Sequence, residues 1–209
     1  MAYKIAIIVG SLRKDSINRE VARSICAIRG DNLDCSMVEI GDLPLYNQDY
    51  DSAPEQPPQY VRFRDQVRSA DGVLFCSPEY NRSIPGVLKN AIDIGSRPYG
   101  QSVFDKKPGA IVTASPGAIG GFGANHHLRQ SCVFLNMAIM MQPEAYLANV
   151  SEDDFDAEGH LKDGKLKPFL ETIAHAFHDW VDMIHRSRAA LAEDAAHVAQ
   201  KVAKEKEHA

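Results

Sequence analysis

Short runs of almost wholly apolar residues recur along the chain, and longer segments with helical spacing separate them. Lys4–Val9, Gly72–Cys76 and Gly109–Thr113 are mainly apolar and do not alternate. That pattern is typical of central strands buried on both faces of a parallel sheet. Leu33–Ile40 alternates in part, and Ala138–Leu147 supplies a further run. The pattern therefore predicts five strands.

Segments with an apolar residue every three or four positions lie between these strands and predict amphipathic helices. Ser16 is a good N-cap for the first helix, and Gly30 is a good helix stop. The predicted helices are Ile17–Arg29, Pro58–Ser69, Ile84–Gly95, Asn125–Met137 and Lys165–His185. Residues 42–58 carry four prolines and predict a long surface loop.

Strands that alternate with helices predict an α/β fold, in which helices cover both faces of a parallel sheet. Right-handed crossovers restrict the topology. Five such strands fit the flavodoxin-like three-layer sandwich, a five-stranded sheet of order 2-1-3-4-5. We assign residues 1–186 to this single domain. Residues 187–209 are rich in Ala, Lys and Glu and predict a helical C-terminal tail, frayed at its end.

Composition changes this picture little. An apolar fraction of 44% and a charged fraction of 24% are ordinary for a globular protein. The formal net charge of −5 argues against broad contact with nucleic acid. It leaves room for a local basic pocket, because Arg13, Lys14 and Arg19 cluster near the N-terminus.

The four cysteines, Cys26, Cys35, Cys76 and Cys132, form no Cys-x-x-Cys pair, so neither a zinc site nor a thioredoxin-type motif is expected. The N-terminus enters an apolar strand without a preceding basic region, and no apolar run is long enough to span a bilayer. We therefore expect a cytoplasmic protein with reduced thiols and no membrane association.

In such sheets ligands bind beyond the carboxyl ends of the strands, where the chain order reverses. The first loop at that edge, residues 10–18, joins a buried strand to a helix N-terminus, which favours an anion. Ser11, Arg13, Ser16 and Asn18 add donors that suit a phosphate monoester. The loop matches neither GxGxxG nor GxxxxGK[ST], so a dinucleotide fingerprint and nucleoside triphosphate hydrolysis lack support. An ordinary polar loop with an N-cap is the alternative.

The loops after the third and fourth strands suit a planar ring. Pro78 and Pro85 stiffen residues 77–86, where Tyr80 and Ile84 offer contact area. Glycines in residues 115–121 let the backbone approach a ligand, and their N–H groups could stabilise negative charge on a reduced flavin. Each loop taken alone is also compatible with a turn that binds nothing.

Together the three loops resemble the NADPH-dependent FMN reductase family, and within it the chromate/quinone reductase branch. The run PEYNRSIPGVLKNAID, residues 78–93, carries the resemblance most specifically, and Gly10-Ser-Leu-Arg with Ser16 and Asn18 carries it second. The resemblance covers roughly residues 3–185 as one domain. It implies bound FMN, NADPH or NADH as co-substrate, small-molecule electron acceptors, and a homodimer or homotetramer with the flavin near a subunit interface.

The resemblance implies cofactor contacts from all three loops. The implied residues are Ser11, Arg13, Ser16, Ile17 and Asn18 in the first loop, Pro78, Glu79, Tyr80, Asn81 and Ile84 in the second, and Ser115, Gly117, Gly120 and Gly121 in the third. Ile94 stands where many relatives carry an aromatic residue, and the tail after Arg186 extends past the usual end. Both departures concern oligomer packing rather than the flavin.

The implied reaction is a ping-pong reduction, in which NAD(P)H gives a hydride to FMN N5 and a quinone then takes the electrons. Chromate and other metal oxyanions are further candidate acceptors. Because the cofactor carries the chemistry, we expect no indispensable side-chain acid or base and no metal. Three alternatives stay open: a flavodoxin-type electron carrier, a flavin reductase that releases reduced FMN, and a scaffold that uses the fold without flavin. His126 and His127 are interpreted as surface histidines.

Overall fold

The structure is a computed structural model that describes residues 2–54 and 56–207, with side chains up to residue 200. Met1, Glu55 and the last two residues of the predicted tail lie outside the described residues. Strands and helices alternate as the sequence predicts. In chain order they are β1 (Tyr3–Val9), α1 (Ile17–Ile28), β2 (Leu33–Met37), α2 (Pro58–Ser69), β3 (Gly72–Ser77), α3 (Gly86–Gly95), β4 (Pro108–Ala114), α4 (Phe122–Phe134), β5 (Ala138–Ile139), β6 (Ala145–Leu147) and α5 (Lys167–Glu207).

All strand pairs are parallel, and the strand order is β2-β1-β3-β4-β5. This confirms the predicted 2-1-3-4-5 sheet with helices on both faces. The predicted last strand, Ala138–Leu147, is instead two short strands that both pair with β4. Pro143 lies between them and has no N–H to donate to a ladder, which agrees with the break.

The two faces of the sheet bury separate halves of the core. On β1, Ile5, Ile7 and Val9 belong to a cluster that α1 and α5 cover. Ala6 and Ile8 belong to a cluster that α2, α3 and α4 cover. Every residue of β3 and β4 is buried. The apolar runs without alternation are therefore strands covered on both faces, as their pattern predicts.

Element boundaries differ from prediction where a local feature overrides the apolar pattern. β2 ends at Met37 rather than Ile40, and it is an edge strand with exposed positions. α3 begins at Gly86 because Pro85 holds the N-cap position. α4 begins at Phe122, three residues before the predicted start, after Gly121 in the left-handed region at φ +79°.

α5 is a single helix of 41 residues that continues past the predicted domain end without a break. Ile173 and Phe177 in its first half are fully buried against the sheet. All side chains from Arg186 to Gln200 are exposed. Among the described residues, no helix has both the length and the apolar composition that a bilayer span requires.

The cysteines differ from the prediction of reduced thiols. Cys26 on α1 and Cys35 on β2 form a disulfide, with Cα atoms 6.2 Å apart. The short connection from α1 to β2 places the two side by side although they form no Cys-x-x-Cys motif. The prediction is therefore wrong for this pair. Cys76 and Cys132 are free and buried.

A buried charge ties the proline-rich loop to the helices on one face of the sheet. Arg64 on α2 is 5% exposed. Its Nε donates to the Ile94 carbonyl over 3.0 Å, and its Nη2 lies 3.6 Å from Asp51 Oδ1. Nη1 donates to the Gln56 side chain. Burial lowers the pKa of the Arg64 guanidinium, so the neighbouring acceptors must offset a real desolvation cost.

Replacing Arg64 with Met should lower the free energy of unfolding by about 3 kcal/mol, because Asp51 then stays largely buried without its counter-charge. Urea denaturation followed by circular dichroism measures this. Arg68→Met on the same helix is the matched control, since its pair with Asp65 is exposed. That variant should change stability by less than about 0.5 kcal/mol. Equal losses in both variants would contradict the role given to Arg64.

Candidate functional site

The loops after β1, β3 and β4 lie side by side, because these three strands are neighbours and run parallel. They meet at the carboxyl edge of the sheet, next to the point where the strand order reverses between β1 and β3. Direct contacts join them. The Gly10 N–H donates to the Cys76 carbonyl over 2.8 Å, and a Cβ atom on Gly10 would collide with the Ser77 hydroxyl. Only glycine allows this approach.

The first loop presents its donors at the N-terminus of α1. Ser16 is the N-cap, and its Oγ accepts from the Arg19 N–H. The N–H groups of Ile17 and Asn18 stand in the first turn, where no intrahelical acceptor exists. Ser11 is 4% exposed, and its Oγ accepts from the Arg13 N–H over 3.3 Å. These N–H groups and hydroxyl protons form a ready anion site.

Asn18 departs from the expectation that its amide faces the loop. The side chain is 4% exposed. Its Nδ2 donates to the Ala114 carbonyl over 3.0 Å, and its Oδ1 accepts from the Ala114 N–H over 3.1 Å. The Asn18 side chain therefore joins α1 to the end of β4, while its backbone N–H stays at the helix N-terminus.

Arg13 has an ionic partner that the sequence does not reveal. Its Nη2 lies 3.3 Å from Glu152 Oε1, and the two side chains are 60% and 69% exposed. Glu152 begins the 3-10 turn Glu152–Asp154 after β6. The guanidinium thus stands at the rim of the first loop, within reach of both an anion in the loop and this carboxylate.

The second loop contains a tight turn besides its prolines. Tyr80 and Ser83 exchange two backbone hydrogen bonds of 3.0 Å. Asn81 and Arg82 between them have φ values of +51° and +65°, so this is a turn of the hairpin type with two left-handed residues. The turn projects Tyr80, which is 48% exposed, and Asn81 from the sheet edge.

The Glu79 carboxylate joins the second loop to the start of α4. Its side chain is 12% exposed. One carboxylate oxygen accepts from the Ala124 N–H in the first turn of α4 over 3.0 Å, and the other lies 3.4 Å from Arg82. A carboxylate at a helix N-terminus is favourable. Pro78 and Ile84 are both half-buried, and Ile84 packs on the core.

The third loop is fixed by its glycines rather than loosened by them. Gly120 and Gly121 have φ values of +65° and +79°. A Cβ on Gly120 would lie 2.7 Å from the Tyr146 backbone, and one on Gly121 would lie 2.8 Å from Thr113 Cβ. Gly117 donates to Ser115 Oγ over 3.0 Å, which orders the start of the loop. Ser115 and Gly117 remain accessible.

Phe122 lies in a cluster of aromatic rings beside the third loop and was not predicted as a site residue. Phe122 is 47% exposed, and its ring centroid lies 4.2 Å from that of His126 and 5.3 Å from that of Tyr146. The predicted helix began at Asn125 and therefore left Phe122 out. The Gly120-Gly121 pair directly before Phe122 was the signal that could have shown the earlier helix start. His127 bonds Ser83 Oγ over 2.9 Å and so joins α4 to the second loop.

The residues present fit FMN. The buried hydroxyls of Ser11 and Ser16, the free N–H groups of α1 and the Arg13 guanidinium suit its phosphate. Because Gly10 and Gly121 have no Cβ atom, their backbone packs directly against Ser77 and Thr113 at the sheet edge where the ring would lie. A parallel 2-1-3-4-5 sheet with such a site at its switch point defines a flavodoxin-like protein for a phosphorylated planar cofactor.

Comparison with known proteins narrows this class. A family model described as NADPH-dependent FMN reductase matches residues 3–152. The chain is 55% identical over 182 residues to a quinone reductase from Pseudomonas putida, covering 87% of this chain and 96% of that protein. It is 46% identical over 181 residues to a 2-hydroxy-1,4-benzoquinone reductase from a Burkholderia species, covering 87% and 97%. The chain belongs to the NADPH-dependent FMN reductase family.

A solved structure shows the same fold and supports the same family. The flavoenzyme NAD(P)H:(acceptor) oxidoreductase FerB from Paracoccus denitrificans superposes with a TM-score of 0.81 and 37% identity, over 87% of this chain and 98% of FerB. The resemblance predicted from the three loops is confirmed, as are FMN as cofactor and NAD(P)H as co-substrate.

Replacing Gly121 with Ala should destabilise the third loop by about 2 kcal/mol, because alanine would be held in the left-handed region against Thr113. Thermal unfolding measures the loss. Gly117→Ala is the control in the same loop, since its added Cβ would meet nothing closer than Ser115 Oγ at 3.4 Å. A Gly121→Ala protein as stable as Gly117→Ala would show that the loop is not constrained as described.

Proposed function

We propose that this protein is a quinone reductase that works by a ping-pong sequence, in which NAD(P)H and then a quinone occupy the same open face of the cofactor. When bound, FMN supplies the two-electron chemistry that links the two half-reactions. The observation that carries the proposal is the convergence of an anion-binding loop and two ring-binding loops at one sheet edge. The names of the relatives, quinone reductase and 2-hydroxy-1,4-benzoquinone reductase, support the choice of acceptor.

The residues of the three loops would divide the work of binding. In this proposal the phosphate binds Ser11, Arg13, Ser16 and the N–H groups of Ile17 and Asn18. The ring edge binds the backbone of Pro78, Glu79, Tyr80 and Asn81, with Ile84 beneath it, and the opposite edge binds Ser115, Gly117, Gly120 and Gly121. The preorganised turns support this division, because their internal hydrogen bonds hold the loop backbone in place before any ligand binds.

In this proposal no side chain of these loops acts as an indispensable acid or base. The Glu79 carboxylate is occupied by Ala124 and Arg82. Burial raises the pKa of the Cys76 thiol, at the end of β3, far above its usual range, so this thiol stays neutral. The exposed face around Tyr80 and Phe122 leaves water free to supply protons to a reduced quinone.

The same open face supports a broad choice of acceptor. Ile119 and Phe122 are 52% and 47% exposed beside the third loop, so little shape selection acts on a small oxidant. Chromate and other metal oxyanions are therefore included in the proposal as further acceptors.

The proposal also includes assembly into a homodimer or homotetramer. Two apolar side chains on α4 support such an assembly, because Val133 is 78% exposed and Phe134 is 76% exposed.

Replacing Arg13 with Ala should weaken FMN binding about tenfold, because a charge-assisted hydrogen bond to the phosphate is lost. Turnover at saturating FMN should change little. Flavin fluorescence titration measures the affinity for FMN, and steady-state kinetics measure the turnover. Lys14→Ala removes the same charge from the exposed neighbour and should change affinity by less than about threefold. Undiminished FMN binding by Arg13→Ala would refute the phosphate assignment.

Visible spectroscopy tests the proposed reaction. Anaerobic addition of NADPH to the FMN-loaded protein should bleach the flavin bands, and benzoquinone should restore them. Initial rates at varied NADPH and quinone should give parallel double-reciprocal lines. Free FMN without protein is the control.

The other outcomes discriminate the alternatives. FMN binding without bleaching would indicate an electron carrier. Loss of FMN on gel filtration after reduction would indicate a flavin reductase that releases its product. A colourless protein that does not take up added FMN would indicate a scaffold that uses the fold without flavin.

A further inference from the structure

Glu152 places a negative charge at the rim of a loop that is otherwise built to hold an anion. Its Oε1 lies 3.3 Å from Arg13 Nη2. Within the part of the chain that the structure describes, Arg13 is the one side chain that pairs with this carboxylate. A phosphate bound to Arg13 must therefore share the guanidinium with Glu152 or replace it.

The backbone of Glu152 is held in place. Ser151 and Asp154 form a reciprocal capping box around the 3-10 turn, in which the Ser151 N–H donates to Asp154 Oδ2 over 2.8 Å. Lys162 Nζ donates to the Asp153 carbonyl over 3.1 Å. The backbone of Glu152 is thus held beside the first loop, and from there its carboxylate reaches Arg13.

The charge of Glu152 opposes phosphate binding in two ways. A phosphate monoester carries close to two negative charges near neutral pH, so a nearby carboxylate repels it as well as competing for Arg13. Both contributions have the same sign. Because Arg13 and Glu152 are exposed, solvent screens each of them, and the effect is expected to be modest.

We propose that Glu152 sets the affinity of the protein for the phosphate of FMN, by competing with that phosphate for Arg13. This inference rests on the proposed function, which assigns the phosphate to the first loop. Glu152 is a positioning residue that acts through Arg13 and touches no reacting atom. It makes cofactor retention weaker than the donors of the loop alone would make it.

The test measures the dissociation constants of FMN and riboflavin for the apoprotein by fluorescence titration. Glu152→Gln keeps the size of the side chain and removes its charge. It should bind FMN about two- to fivefold more tightly than wild type. Riboflavin has no phosphate, so its affinity should not change. Asp153→Asn is the matched control, because it removes the same charge one residue away and should leave FMN affinity near the wild-type value.

A double-mutant cycle completes the test. In an Arg13→Ala background, Glu152→Gln should lose most of its effect on FMN, since the shared partner is gone. The proposal would be overturned if the Glu152→Gln protein bound FMN no better than the Asp153→Asn protein, or more weakly than wild type. If Arg13→Ala itself leaves FMN affinity intact, the phosphate assignment fails instead, so the two failures are distinguishable.

Discussion

The buried pair of hydrogen bonds between the Asn18 side chain and the Ala114 backbone is the constraint on which the candidate site depends. Both bonds are about 3 Å long, and Asn18 is 4% exposed. Leaving such buried groups unpaired costs roughly 1–3 kcal/mol each. Because Asn18 belongs to α1 and Ala114 ends β4, the pair holds the anion-binding N-terminus at a set distance from the glycine loop. A rigid ligand that spans the two then needs no rearrangement of the protein.

Local chemistry made much of the fold predictable. The run from Lys4 to Val9 is apolar at almost every position, and a strand of that kind has to be covered on both faces. Once three such strands alternate with helices, right-handed crossovers leave few topologies. The loops of the site follow, since parallel strands end at one edge. Gly120 and Gly121 have positive φ values and lie against the Tyr146 backbone and the Thr113 side chain, which explains why glycine is required there; their approach to a ligand stays a prediction.

The unpredicted features are contacts between residues far apart in sequence. Asn18 and Ala114 are separated by 96 positions, Glu79 and Ala124 by 45, and Arg13 and Glu152 by 139. Asn18, Glu79 and Arg13 were predicted as site residues from their loops, but the partner of each is set by how the helices pack on the sheet. The disulfide between Cys26 and Cys35 differs, because its cysteines are only nine positions apart; the sequence carries no motif that signals it, and the pair forms when α1 turns back into β2.

In the proposed function, the site separates retention of the cofactor from its reactivity. Arg13 and Glu152 stand at the end assigned to the phosphate, a group that takes no part in redox chemistry, and solvent screens both charges. The end assigned to the ring is lined by turns that glycine, proline and the Glu79 carboxylate hold fixed. A change of charge at the first end should therefore alter cofactor occupancy without changing the turns at the second. On this assignment, affinity is open to adjustment without altering the groups around the ring, because different loops hold the two parts of the cofactor.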